Sequence, residues 1–146
     1  MQPSTQKPSA IVKPTTNTKF HIDYSWWETG GEDLRTYILS QLLPEQREQL
    51  ANSSEERVMD YIDPDTGEVF QVDELGLAVQ IAAKAPDFIN PQIALIDSIF
   101  RVFLANDNTP LSPNELSQLL PWKPSRTILA TLGGRQIYLG IRPVWK

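Results

Sequence analysis

The stretch "SPNELSQLLPWKPSRTILATLGG" occupies residues 112–134 and leads into "RQIYLGIRP". Ser112 and Glu115 have the spacing of a capping box, in which the serine oxygen takes an orphan amide and the glutamate reaches back to the cap. Pro113 falls at the first helical position, where its missing N–H loses no hydrogen bond. Leu116, Leu119 and Leu120 then form one apolar stripe over a short helix. "PWKP" ends it, because Pro121 and Pro124 both forbid continuation. A second helix starts at Pro124 or Ser125. At about 100° per residue, Ile128, Leu129 and Leu132 share one face, while Arg126, Thr127, Ala130 and Thr131 share the other. Gly133 and Gly134 close it. A strand is expected next, with Ile137, Leu139 and Ile141 on one side and Gln136, Tyr138 and Arg142 on the other.

Upstream, Asn90-Pro91 reads as a cap followed by proline at the first helical position. The helix it opens, "QIALIDSIFRVFLAN", is apolar on nearly every side except at Asp97, Ser98 and Arg101, so it is expected to be central and buried. Asp97 and Arg101 are four apart and within pairing reach. Further back, "RVMDYIDPDTGEVFQVD" is a hairpin signal: two strand-like runs, 57–63 and 68–73, flank a turn in which Pro64 sets φ and Gly67 supplies a positive φ. Asp73 is placed to cap a helix that stops before Pro86. "KFHIDYSWW", residues 19–27, alternates with period two and predicts a strand with Trp26 and Trp27 on opposite faces. A helix over 32–43 and a shorter one opened by Pro44 lie between. Residues 1–18 hold three prolines, many Ser, Thr and Gln, and one apolar patch at Ala10, Ile11 and Val12. Such a segment buries too little surface to offset its ordering entropy and is expected to be a flexible arm.

These elements predict an α+β fold: a small antiparallel sheet (19–27, 57–63, 68–73) with packed helices and a C-terminal helical unit. Residues 1–18 are the arm, 19–91 the α+β part, and 92–146 a helical part sharing one core with it. The 146 residues are 40% hydrophobic and 21% charged, ordinary for a globular chain. No apolar run approaches the ~20 residues of a membrane span, and residues 1–19 lack a secretory core, so a cytoplasmic setting is expected. There is no cysteine, which excludes disulfides and thiolate metal sites. The net charge of −5 is unevenly spread. From residue 111 onward there are five basic residues (Lys123, Arg126, Arg135, Arg142, Lys146) to one acid, Glu115, a net of +4. The first 110 residues carry eight basic and 17 acidic ones, a net of −9. A split of this kind fits a chain whose C-terminal end meets a polyanion.

The order from residue 93 to 143, namely buried helix, helix, turn, helix, strand, resembles the winged helix-turn-helix superfamily over about a third of the chain. That resemblance implies a recognition helix at the second of the pair, lying in the major groove of DNA, and a wing on phosphate or the minor groove. It would place Ser125, Arg126, Thr127 and Thr131 toward the groove, with Lys123 in the turn and Arg135, Tyr138 and Arg142 on the wing. Arginine binds guanine bidentately, and threonine contacts a thymine methyl or a phosphate. The cations are few, so an arm adding Lys7, Lys13 and Lys19, or a second copy, is needed to reach the ~6–10 phosphate contacts of strongly salt-dependent binders. Wings in that superfamily are usually hairpins. Here one clear strand follows the helices, so its partner is absent or comes from the N-terminal half.

The leading function is thus a non-enzymatic DNA-binding or transcription-associated protein. In it the acidic half docks a protein partner or a second copy. The alternative is an adaptor or accessory subunit of a larger protein assembly that binds partners through its N-terminal arm and aromatic strand without touching nucleic acid. Its candidate contacts are Ile11 and Val12 on the arm and Trp27, Trp122 and Trp145, since tryptophan concentrates binding energy. "DPDTGE" (63–68) reads as a turn rather than a calcium loop, because glycine falls fifth and Pro64 fits a turn. His21, the only histidine, lies two residues from Asp23, but no nucleophile or further ligand completes a catalytic or metal site. No cofactor is expected.

Overall fold

A single aspartate decides the first departure from the period-two pattern. In the computed structural model, which describes residues 13–30, 33–51 and 59–145, Asp23 adopts an extended backbone and its carboxylate accepts the Ser25 amide at 3.0 Å and the Ser25 hydroxyl at 2.6 Å. That is an N-cap, and it turns the chain into helix α1 (Tyr24–Thr29). The expected strand over 19–27 is therefore cut to β1 (Phe20–Ile22). Trp26 and Trp27 are neighbours on a helix, not residues on two faces of a strand, and their rings meet edge to face at 5.2 Å.

β1 pairs antiparallel with β4 (Ile141–Pro143), in the register Phe20 to Pro143, His21 to Arg142 and Ile22 to Ile141. On its other side Phe20 exchanges two backbone hydrogen bonds with Leu111, at 2.8 and 3.0 Å. Farther along that edge, the Asn108 side chain stands in for a strand: its Oδ1 accepts the Ile22 amide at 2.8 Å and its Nδ2 donates to the Ile22 carbonyl at 2.9 Å. The hairpin strands β2 (Met59–Ile62) and β3 (Val69–Val72) pair only with each other. The fold is α+β, but the expected three-stranded sheet is two separate two-stranded ones among the described residues. Strand alternation cannot specify a partner when the partner is 120 residues away.

The spine is helix α5 (Leu95–Ala105), with Ile99, Phe100 and Phe103 fully buried and Trp27 packed on Phe100 at 6.1 Å. It starts later than Asn90-Pro91. Asn90 Oδ1 takes the Gln92 amide at 2.8 Å and the Asn90 carbonyl takes the Ile93 amide at 3.2 Å, so a separate turn closes ahead of α5. Helices α6 (Pro113–Leu119) and α7 (Ser125–Leu132) follow as expected, and Ser112 and Glu115 form the reciprocal capping box. Leu116 and Leu120 are buried, yet Leu119 is 53% exposed, so the apolar stripe of α6 is narrower than its sequence spacing. Beyond α7 the expected strand is broken. Leu139 and Gly140 both have positive φ, which pleated backbone does not allow, and β4 begins only at Ile141. Gly140 is required there, since a Cβ would sit 2.9 Å from Trp27 Nε1. That indole nitrogen donates to the Leu139 carbonyl at 3.1 Å.

Residues 13–18 of the expected arm lie on the start of α6. The Asn114 amide donates to the Thr16 carbonyl at 3.1 Å, and the Asn114 side chain donates to Asn17 Oδ1 at 2.8 Å. Ile11 and Val12 lie outside the described residues. By contacts, 13–30 group with 89–145 and 33–51 with 59–88, so β1 belongs with the C-terminal helices rather than with the hairpin. The second unit contains α2 (Leu34–Ser40), α3 (Pro44–Ala51), the hairpin and α4 (Glu74–Ala83), whose cap is Asp73 Oδ1 on the Gly76 amide at 2.6 Å. No described helix is long and apolar enough to cross a membrane.

Candidate functional site

The turn between α6 and α7 is fixed from within. The Lys123 amide donates to the Leu120 carbonyl at 2.9 Å, and Ser117 Oγ donates to the Lys123 carbonyl at 2.7 Å. These bonds set where α7 begins and hence which way its faces point. Ile128 and Leu132 turn inward and are buried, with Leu129 half-buried. Arg126, Thr127 and Ala130 are exposed, and Ser125 and Thr131 half-exposed. The face division expected from helical spacing is the one observed.

A groove of about 560 Å³ runs beside that outer face. One wall is α7 and the segment after it: Thr127, Ala130, Thr131, Gly134, Arg135, Gln136 and Tyr138. The other is the chain entering α5, at Ala94, Leu95 and Ile96. Four candidate residues, Thr127, Thr131, Arg135 and Tyr138, are thus brought to one concave surface. Ala94, Leu95 and Ile96 were not among the candidates. They belong to a helix whose sequence reads as buried throughout, and nothing local marks its first turn as a wall.

The hydroxyls on this face differ. Thr131 Oγ1 donates to the Thr127 carbonyl at 3.1 Å, so it offers an outside partner only its lone pairs and methyl. Among the cations, Lys123, Arg126 and Arg135 have no carboxylate partner among the described residues. Arg142 does not join them. Its Nη1 donates to Asp23 Oδ2 at 3.2 Å, on the β1–β4 ribbon, so it carries a carboxylate partner that the other three lack. The Asp23 carboxyl is held below the usual carboxylate range by the Ser25 hydroxyl above all, then by the Ser25 amide and Arg142, against some burial. Lys19 is likewise engaged, at 2.7 Å from Glu115, whose carboxyl it and the Ser112 amide lower. Lys19 is therefore not a free cation of an arm.

The tryptophans separate. Trp27 is 4% exposed, bonded and stacked in the core, so its assignment to a partner surface is wrong. Its helix position, set by the Asp23 cap, turns it inward. Trp122 is half-buried in the turn and Trp145 is exposed after β4. Among the described residues no group of three or more His, Cys, Asp or Glu could hold a metal ion. No family model, no curated protein and no solved structure matches this chain.

Proposed function

We propose that this chain is a non-enzymatic DNA-binding protein of the winged helix-turn-helix kind, with the outer face of α7 as its contact surface and a cytoplasmic, transcription-associated role. The observation that carries the reading is that Arg126 and Thr127 stand exposed on α7, with Lys123 and Arg135 beside them, and that none of these three cations is neutralised by a carboxylate of the described residues. Exposed guanidinium and ammonium groups without a carboxylate partner are what phosphate contact uses, because each releases a condensed counterion. The adaptor alternative loses Trp27 to the core and keeps Trp122 and Trp145 as its described contacts.

Three cations predict a shallow salt dependence, with log affinity falling against log salt at a slope of about −2 to −3. Fluorescence anisotropy on a labelled mixed-sequence oligonucleotide between low and physiological salt measures it. Arg126→Ala combined with Arg135→Ala should flatten that slope by about 1.5 to 2. Binding that ignores salt, or that survives both substitutions unchanged, defeats the α7 assignment.

A further inference from the structure

We infer that the groove beside α7 receives an unstacked base, so that this face prefers single-stranded DNA to a duplex. The inference rests on the nucleic-acid reading above and names the substrate form. A helix that reads a duplex presents a ridge to the major groove, whereas here the ridge is flanked by a concavity of about 560 Å³, within the size range of small-ligand sites. Something must protrude from the partner to fill it. A base swung out of its stack does, and a base inside a duplex does not.

The walls suit a nucleobase. Leu95, Ile96 and Ala130 offer apolar contact to its faces, and Tyr138, 40% exposed at the groove, offers a ring to stack on. Arg135 lines the same groove with no carboxylate partner among the described residues, and none of the residues lining the groove is acidic. The charge therefore favours an anionic backbone over an acidic side chain of its own. The duplex-clamping element is also wanting. The segment after α7 is a bent turn with positive φ at Leu139 and Gly140, and β4 pairs with β1 instead of forming a hairpin with its own neighbour. Three unpaired cations fall short of the ~6–10 phosphate contacts of a strong duplex binder. Base stacking on an aromatic ring, on the order of 5- to 100-fold in affinity per base, makes up such a shortfall in single-strand binders.

The test compares a labelled mixed-sequence 12-nucleotide DNA strand with its own duplex, and with a labelled poly-glutamate peptide, on the full chain. The strand is expected to bind at least about tenfold tighter than the duplex. Tyr138→Ala should weaken the strand by about tenfold, and the duplex by less, without changing the salt slope, with Tyr138→Phe restoring the strand. Ala130→Gln, on the exposed side of α7, fills the groove without removing a charge and should act like Tyr138→Ala. Far-UV circular dichroism identical to the parent certifies both variants as folded. Equal or tighter duplex binding overturns this inference and leaves the DNA reading standing. Failure of both nucleic acids, with or without capture of the peptide, overturns both.

Discussion

The two units of the chain are tied by different kinds of bond. In the unit of residues 13–30 and 89–145, the bonds that close the structure join residues about 90 or more positions apart. Asn108 grips both backbone groups of Ile22, Trp27 donates to Leu139, and Arg142 reaches Asp23. In the unit of residues 33–51 and 59–88 they are mostly local. Asp63 closes its own turn on Asp65 and Gly67, Asp73 caps the next helix, and Gln46 reaches the Ala78 carbonyl. Local caps and turns shape elements one at a time. Long-range clamps bind them into a core, and they are expected to carry the stability of the first unit.

The largest break in that comparison should come from Phe100. It is fully buried against Trp27, and Phe100→Ala is expected to cost about 3–5 kcal/mol. All four tryptophans, at 26, 27, 122 and 145, lie in that unit, so their fluorescence reports on it alone while far-UV circular dichroism sees both. In urea the variant should shift the fluorescence transition to lower denaturant and leave part of the dichroism transition behind. Coincident shifts would show that the two units unfold as one. Asn108→Ala comes next, at about 2–3 kcal/mol, because both backbone groups of Ile22 lose their partner. Asn108 also has φ of 58°, which asparagine tolerates and alanine resists. Asn108→Gly separates the causes: it removes the backbone strain and should still lose most of the stability.

The same contrast explains what the sequence could reveal. Much of what is set within five or six residues was legible: the capping box of α6, the proline-bracketed turn, the two faces of α7, and the hairpin around Gly67 with its Asp73 cap. What was missed was long-range or depended on two local signals competing. Residues 19–27 alternate well enough for a strand, but Asp23 caps a helix more strongly than alternation holds one. Residues 135–142 alternate too, and the close approach of Trp27 to Gly140 breaks them. The candidate site divides along that line. Arg126, Thr127 and Ala130 were legible from helix period, whereas the α5 wall of the groove and the capture of Arg142 by Asp23 needed the fold.

Asp23 sharpens the comparison electrostatically. Its carboxyl is lowered in the folded chain, so the stability it supplies is complete above the ordinary carboxylate pKa of about 4 and fades as pH falls through the lower folded value. Asp23→Asn keeps a capping oxygen and gives up the charge. It should cost no more than about 1 kcal/mol at pH 7, and the gap between the two proteins in thermal melts should narrow as the pH falls below the ordinary carboxylate range. A gap that persists in acid would mean the hydrogen bonds, not the charge, bind the β1–α1 corner.

The smallest effect is expected in the hairpin, and it tests whether that ribbon is as open as it looks. Ile62 and Val69 are cross-strand partners, 62% and 60% exposed, so little apolar area is withdrawn from water by either. Threonine at both positions keeps the β-branch that favours extended backbone while trading an ethyl group of isoleucine and a methyl group of valine for a hydroxyl. The double variant Ile62→Thr, Val69→Thr should therefore change stability by no more than about 0.5 kcal/mol, read from the dichroism transition. The hydrogen-bonded turn, with the Asp63 amide on the Glu68 carbonyl at 2.9 Å and Gly67 at φ of 77°, does not depend on either side chain. A loss above about 1 kcal/mol would mean that the pair is covered in solution, since only withdrawal from water makes an isoleucine–valine pair worth that much.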